Sequence, residues 1–129
     1  MKKILVADDE AHILHVVSMK LRNAGFTVLT AMDGEEALEV YLAERPDLLI
    51  TDNQMPYLTG VELCRRIREQ NGGQPLPVIM LTARGHDINP ADIVTAGVST
   101  VLAKPFSPRE LLEKVNQMLG LRPLAPLNT

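Results

Sequence analysis

The chain has 129 residues, of which 46% are hydrophobic and 22% are charged, a balance typical of one globular domain with an ordinary core. Its formal net charge of −3 provides no general attraction to polyanions. Direct binding to nucleic acid or to an anionic membrane surface is therefore not expected. The lone cysteine, Cys64, excludes an internal disulfide and a cysteine-based metal cluster, and its spacing places it on a helix face as a small apolar residue.

The N-terminus carries two lysines followed by a short apolar run that stops at Asp8. This run is too short for the apolar region of an export signal or for a membrane-spanning helix. We therefore predict a cytoplasmic protein with no export signal and no membrane span.

Short apolar runs alternate with amphipathic helical patterns along the chain. This alternation predicts an α/β domain with a parallel sheet. The five predicted strands cover residues 4–7, 26–31, 48–51, 77–82 and 98–103.

A helix is predicted after each strand. Gly25 is expected to end the first helix in a left-handed cap. Capping boxes, in which a polar residue and a glutamate three positions later bond each other's backbone, predict where three helices start: Asp33 with Glu36, Thr59 with Glu62, and Ser107 with Glu110. Asn89 and Pro90 predict a short fourth helix that ends at Gly97, and the loop of residues 83–88 before it is expected to be mobile.

Right-handed crossovers restrict such a chain to a few doubly wound topologies. The flavodoxin-like (βα)5 fold with strand order 2-1-3-4-5 is one of these topologies, and its switch point falls between the first and third strands. This single domain is predicted to cover residues 1–120. Residues 121–129 contain two prolines and no periodicity, and are expected to form a tail or the start of a linker.

Carboxylates follow both strands at the predicted switch point. Asp8 and Asp9 come after the first strand and Asp52 after the third, where ligands of parallel sheets bind. These aspartates could be purely structural, since aspartates often cap turns and helix starts. Capping the first helix, however, needs only one of Asp8 and Asp9. Three crowded carboxylates raise one another's pKa unless a cation relieves the repulsion. Oxygen ligands without nearby cysteine or histidine favour Mg²⁺.

Thr82 and Lys104 stand at the ends of the fourth and fifth strands. A hydroxyl donor and an ammonium beside a metal ion suit a phosphoryl group, whose transfer depends on positioning and on neutralising its oxygens. Taken singly, each residue has another interpretation. Thr82 could be a hydroxyl bonded to local backbone, and Lys104 could be a solvated surface lysine. Pro105 after Lys104 predicts an extended backbone there. Without phosphate, the Lys104 ammonium is expected to pair with Asp52.

Together these residues resemble the receiver domains of two-component response regulators, which include chemotaxis-type regulators. The resemblance covers nearly the whole chain, from residue 2 to about residue 120. Its motifs, in order, are Asp8-Asp9, Asp52-x-x-Met55-Pro56 with Gly60, Leu81-Thr82-Ala83, Ala96-Gly97 and Lys104-Pro105-Phe106. The complete set at these spacings is far more specific than any one piece.

The resemblance implies that Asp52 is the phospho-acceptor. It also implies that Asp9, Asp52 and the backbone carbonyl of Gln54 bind Mg²⁺, with Asp8 acting through water. The phosphoryl donor would be a phosphohistidine on a sensor histidine kinase or a histidine phosphotransfer protein. Such a domain is not an enzyme acting on outside substrates, since it catalyses only its own phosphotransfer and dephosphorylation.

The resemblance further implies that Thr82 and Lys104 hold phosphoryl oxygens. Two positions depart from the family pattern. Val101 stands where the family usually has an aromatic residue that turns inward on activation, so we expect the signal to leave mainly through the loop of residues 83–88 and the fourth helix. Tyr57 stands where glycine is common, and is either a partner contact or an ordinary loop residue.

Two other functions are alternatives to that of a phospho-acceptor domain. A phosphatase of the haloacid dehalogenase kind needs a second acid two residues after its nucleophile, where this chain has Gln54. A receiver-like adaptor that binds proteins independently of phosphorylation is opposed by the complete set of site residues, while Val101 leaves it open. The histidines have no metal-binding spacing, and His12 and His15 are expected at the surface.

Overall fold

The computed structural model describes residues 1–83 and 88–121. Its strands are β1 Lys3–Ala7, β2 Thr27–Ala31, β3 Leu48–Asp52, β4 Val78–Thr82 and β5 Thr100–Ala103. Its helices are α1 Ala11–Asn23, α2 Gly34–Glu44, α3 Gly60–Gln70, α4 Pro90–Ala96 and α5 Pro108–Met118. All strand pairs are parallel and the sheet order is β2-β1-β3-β4-β5, so the predicted flavodoxin-like topology is confirmed.

The sheet is covered on both faces, which explains why its central strands are apolar throughout. Every residue of β3 and β4 is buried. Alternate side chains point to opposite faces. Val6 and Ile50 therefore pack in one half of the core with α1 and α5, while Leu5 and Leu49 pack in the other half with α2 and α3.

All five strands differ at an end from their predicted bounds. Strand β1 begins one residue earlier, at Lys3, and β3 runs one residue further, to Asp52, while β2, β4 and β5 begin later than predicted. The late start of β5 has a local cause: the N–H of Val98 donates to the carbonyl of Ile93 and closes the end of α4. Apolar pattern alone does not show that this residue belongs to the helix end.

The predicted helix ends are largely confirmed. The reciprocal capping box of Thr59 and Glu62 is present at α3. Asp33 caps α2, but the Glu36 carboxylate accepts from the N–H of Met32, one residue before the predicted partner. Asn89 accepts from the N–H of Ala91, and Gly25 and Gly97 have φ of 97° and 77°, as predicted. At α5 the Ser107 side chain accepts from the N–H of Glu110, but the return bond of the predicted capping box is absent within the described residues.

The prediction of a mobile loop falls mainly on residues 84–87, outside the described residues. The same holds for residues 122–129 of the predicted tail. Over the described ranges, none of the helices has both the length and the apolarity that a membrane crossing requires.

Candidate functional site

The predicted site residues meet at the carboxyl edge of the sheet. Asp8 follows β1, Asp52 ends β3, Thr82 ends β4 and Lys104 follows β5. Within the described residues, Asp8, Asp9 and Asp52 each place a carboxylate oxygen within 4.8 Å of the others. The parallel strand register therefore creates the acid cluster that the strand ends predicted.

Asp8 is fully buried, with 0% exposure. Its Oδ1 accepts from the N–H of Glu10 at 2.9 Å, and its Oδ2 lies 3.0 Å from Nζ of Lys104. This oxygen is in an ion pair with Lys104 but accepts no hydrogen bond within the described residues. Burial raises the pKa of Asp8 above its ordinary value, although the Glu10 N–H and Lys104 oppose the shift. One buried oxygen therefore has spare capacity for a further cation or water.

Asp52 is the second buried acid, with 7% exposure. The pKa of Asp52 is raised to about 6. Burial is the largest cause of this rise, and the negative charge of Asp8 is the second. Lys104 opposes this rise because its ammonium favours the ionised carboxylate. Burial and the charge of Asp8 thus destabilise the ionised form of Asp52, and a divalent cation would stabilise it.

Lys104 contacts three carboxylates. Its Nζ lies 2.7 Å from Oε1 of Glu10, 3.0 Å from Oδ2 of Asp8 and 3.6 Å from Oδ1 of Asp52. The predicted pairing with Asp52 is therefore the longest of the three contacts. Burial alone would lower the pKa of Lys104, but the nearby Glu10 and Asp8 carboxylates outweigh it and the pKa is raised.

Glu10 is the site residue that the sequence analysis missed. The available signal was the run Asp8-Asp9-Glu10, in which a third acid follows the predicted pair. Glu10 is also the N-cap residue of α1, yet its side chain makes no capping hydrogen bond. The side chain is turned to Lys104 instead.

The backbone around Lys104 has two features that the sequence analysis did not predict. The Lys104–Pro105 peptide bond is cis. The N–H of Lys104 donates to the carbonyl of Thr82 at 2.8 Å, which ties the end of β5 to the end of β4. Thr82 itself is buried at 8% exposure, and its hydroxyl makes no hydrogen bond within the described residues. Thr82 therefore places a hydroxyl at the same edge of the sheet as Lys104.

The turn after β3 is held close to the acids. Asn53 accepts from the N–H of Val61 through Oδ1 at 3.1 Å and from the N–H of Gly60 through its carbonyl at 2.8 Å. A Cβ at Gly60 would lie 2.5 Å from the Asp52 carbonyl oxygen, so only glycine fits there. These contacts fix the turn that carries the Gln54 carbonyl.

The chain matches the response regulator receiver domain family over residues 4–116. The chain belongs to this family. Its receiver-domain sequence is 40% identical over 118 residues to the alkaline phosphatase synthesis transcriptional regulatory protein PhoP of Bacillus subtilis (strain 168), covering 92% of this chain and 48% of that protein.

A second relative is the phosphate regulon transcriptional regulatory protein PhoB of Pseudomonas aeruginosa, which is 36% identical over 118 residues, or 92% of this chain and 52% of that protein. The receiver domain thus spans about half the length of the curated relatives it matches. Among solved structures, the chemotaxis response regulator CheY4 of Vibrio cholerae has a TM-score of 0.84 at 36% identity, covering 92% of this chain and 98% of that chain.

Receiver domains bind Mg²⁺ through acidic residues, and the donor set of this receiver domain fits that ion. Carboxylates and a backbone carbonyl are the hard oxygen ligands that Mg²⁺ prefers. The spare Oδ2 of buried Asp8 and the raised pKa of Asp52 both point to a cation. No cysteine or histidine belongs to the cluster within the described residues.

The two residues that depart from the family pattern, Tyr57 and Val101, are both exposed. Tyr57 has φ of 73° and is 74% exposed, which explains why glycine suits this position in the receiver family. Val101 is 38% exposed on β5. Neither side chain contributes to the acid cluster.

The remaining candidates lie away from the site. His12 and His15 are exposed on α1, as predicted. His86 lies outside the described residues. Cys64 is buried in the core as predicted, and burial raises the pKa of its thiol to about 12.

Proposed function

We propose that this receiver domain accepts a phosphoryl group onto Asp52 from a phosphohistidine of a sensor histidine kinase or a histidine phosphotransfer protein. The observation that supports this most directly is the position of Asp52 at the end of β3, within 4.8 Å of Asp8 and Asp9 oxygens and 3.6 Å from Nζ of Lys104. A carboxylate nucleophile there lies beside both negative ligands for a cation and a positive charge for a phosphoryl oxygen.

In the proposed reaction, an Asp52 carboxylate oxygen attacks the phosphorus atom. A P–O bond forms as the P–N bond to the donor imidazole breaks, and the bonding electrons leave with the imidazole nitrogen. The product is an acyl phosphate on Asp52. Water later cleaves it and returns the Asp52 carboxylate and inorganic phosphate.

Lys104 and Thr82 would hold the oxygens of the transferred group. The Lys104 ammonium already lies at this edge, and the Thr82 hydroxyl stands at the end of the neighbouring strand. Fixed donors of this kind stabilise the charge on the phosphoryl oxygens as it is transferred. Because Lys104 is shared with Asp8 and Glu10, it must lengthen at least one of those contacts when the phosphoryl group arrives.

Mg²⁺ is the proposed cofactor. Asp9, Asp52 and the Gln54 carbonyl would hold it, with Asp8 acting through water. When bound, the ion would neutralise charge on the reacting oxygens. The Asp8 carboxylate also partly neutralises the positive charge of Lys104, because its Oδ2 lies 3.0 Å from Nζ.

The partner and domain assignments are proposals of the same kind. We propose residues 1–120 as the receiver unit and residues 121–129 as a tail or linker. Phosphorylation would switch binding to a downstream protein target or an output domain. We propose a cytoplasmic location, with no direct binding of nucleic acid by this domain.

Acetyl phosphate labelling tests this proposal. Intact mass should show one added phosphoryl group in the presence of MgCl₂, and EDTA or Asp9→Asn should suppress it. Asp52→Asn should abolish labelling. Asp47→Asn is a matched control, since Asp47 accepts from the N–H of Lys3 at the opposite edge of the sheet. Equal labelling of the wild type and Asp52→Asn would overturn the assignment, and partner binding unaffected by beryllofluoride would favour the adaptor function.

A further inference from the structure

A cavity of about 240 Å³ lies between α3 and α4, at the edge of the sheet opposite the acid cluster. Leu49 at the start of β3 forms part of its wall, three residues before Asp52. At the rise of a β-strand, the cavity is therefore roughly 10 Å from the proposed phosphorylation site. The apolar part of the wall consists mainly of Leu49, Cys64, Ile67, Leu76, Val78 and Ala96.

Small residues where the two helices meet explain the empty volume. Cys64 on α3 and Ala96 at the end of α4 leave space, and Gly97 adds no side chain. A Cβ at Gly97 would lie 2.8 Å from Nη1 of Arg68. Neither helix therefore fills the cavity, and an apolar ligand would gain the contacts that its wall lacks.

The one charged residue of the described wall is Arg68, which is half-buried. Its Nη1 donates to the Thr95 carbonyl at 3.4 Å, a long contact. No acidic residue lines the cavity within the described residues. Guanidinium donors pair strongly with carboxylates, often through two parallel hydrogen bonds. The wall is thus complementary to an apolar body that carries one negative group.

The volume limits the size of that body. An engineered apolar cavity of about 150 Å³ holds one benzene molecule. A cavity of about 240 Å³ has room for one ring and a short acidic substituent. We propose that the cavity binds a small aromatic monocarboxylate, with its ring against the apolar wall and its carboxylate paired with Arg68. This proposal is independent of phosphoryl transfer.

Benzoate is the probe for an amide NMR titration of the wild-type chain, with benzyl alcohol and acetate as its neutral and ring-free counterparts. Benzoate should give saturable shifts in residues 64–68, 76–78 and 96–97. Benzyl alcohol should bind about tenfold more weakly because it lacks the ion pair, and acetate should not shift these amides. Hydrogen exchange of α4 should slow when benzoate is bound.

Two variants separate the ring contacts from the charge. Arg68→Gln should weaken benzoate about tenfold and leave benzyl alcohol unchanged. Ala96→Leu should abolish binding of both, because its side chain occupies the cavity. The matched controls are Arg66→Gln and Ala91→Leu, exposed positions on the same two helices, and both should bind like the wild type.

If Ala96→Leu does not give a native-like amide spectrum, Cys64→Leu enters the same space from α3 and replaces it. The proposal is overturned if benzoate gives no saturable shifts at the cavity. It is equally overturned if Arg68→Gln binds benzoate as well as the wild type does, or if the shifts centre on Lys104 at the other edge of the sheet.

Discussion

Lys104 is shared among carboxylates, and its shortest contact is with Glu10 at 2.7 Å. Asp8 is fully buried, whereas Glu10 is exposed, so the two acids hold the ammonium with different strength. A contact with an exposed carboxylate is weakened by solvent and salt. Glu10 is thus the partner that Lys104 can most easily leave when a phosphoryl group is present.

We predict that Glu10→Gln speeds labelling of Asp52 by acetyl phosphate by about two- to fivefold, since an exposed ion pair is worth at most about 1 kcal/mol. Removing the competing charge leaves Lys104 closer to Asp52. The initial labelling rate at fixed MgCl₂ measures the effect. Glu113→Gln removes another exposed ion pair, that with Arg109 on α5, and should leave the rate unchanged. A slower rate in Glu10→Gln would show that Glu10 assists the reaction instead.

At the scale of elements, α4 is short, and arginine side chains of α3 bond to it. Nη2 of Arg65 donates to Oδ1 of Asp92 at 2.8 Å and to Oγ1 of Thr95 at 3.1 Å. Val94 on α4 is 75% exposed. A helix with few buried side chains and solvent-exposed hydrogen bonds is among the first elements to change conformation. Strand β5, in contrast, is hydrogen-bonded along its length to β4.

We predict that Mg²⁺ with beryllofluoride changes hydrogen exchange most in residues 83–96 and less at Val101. Val101 is β-branched and stiff at its first torsion, so it cannot make the swing of an aromatic side chain. Val101→Ala should leave this pattern unchanged. Protection changes centred on β5 and α5, with residues 83–96 unaffected, would contradict the prediction.

At the scale of the whole molecule, the acid cluster should lower stability at neutral pH when no metal ion is bound. Asp52 has a folded pKa of about 6 against an ordinary value of 3.8. Between these values the folded state binds more protons than the unfolded state, so the free energy of unfolding falls as pH rises from about 4 to 6. The raised pKa of Asp8 acts in the same direction.

We therefore predict that Asp52→Asn is more stable than the wild type at pH 7 in EDTA, by about 1–3 kcal/mol. The difference should shrink toward pH 4, where Asp52 is protonated in the folded state and partly protonated in the unfolded state. Urea unfolding across this pH range measures it. Millimolar Mg²⁺ should stabilise the wild type at pH 7 and reduce the difference. A wild type that is the more stable protein at pH 7 without metal would contradict the prediction.

The sequence by itself determined the elements, a small set of possible sheet orders and the edge at which Asp8, Asp52 and Lys104 meet. Periodicity and helix caps are local signals, and right-handed crossovers leave few arrangements of parallel strands. The carboxyl ends of such strands share one edge, so residues far apart in the chain were predicted to be neighbours. Strand ends were less accurate, because the residue that closes α4 is apolar like those of β5.

Only the tertiary structure decided which charges touch. Glu10 and Lys104 are 94 residues apart, and their 2.7 Å contact depends on side-chain directions that no local pattern specifies. The same is true of burial, which leaves Asp8 inside and the adjacent Asp9 exposed. The cavity beside Arg68 depends on small residues contributed by separate elements, and its volume exists only once those elements have packed.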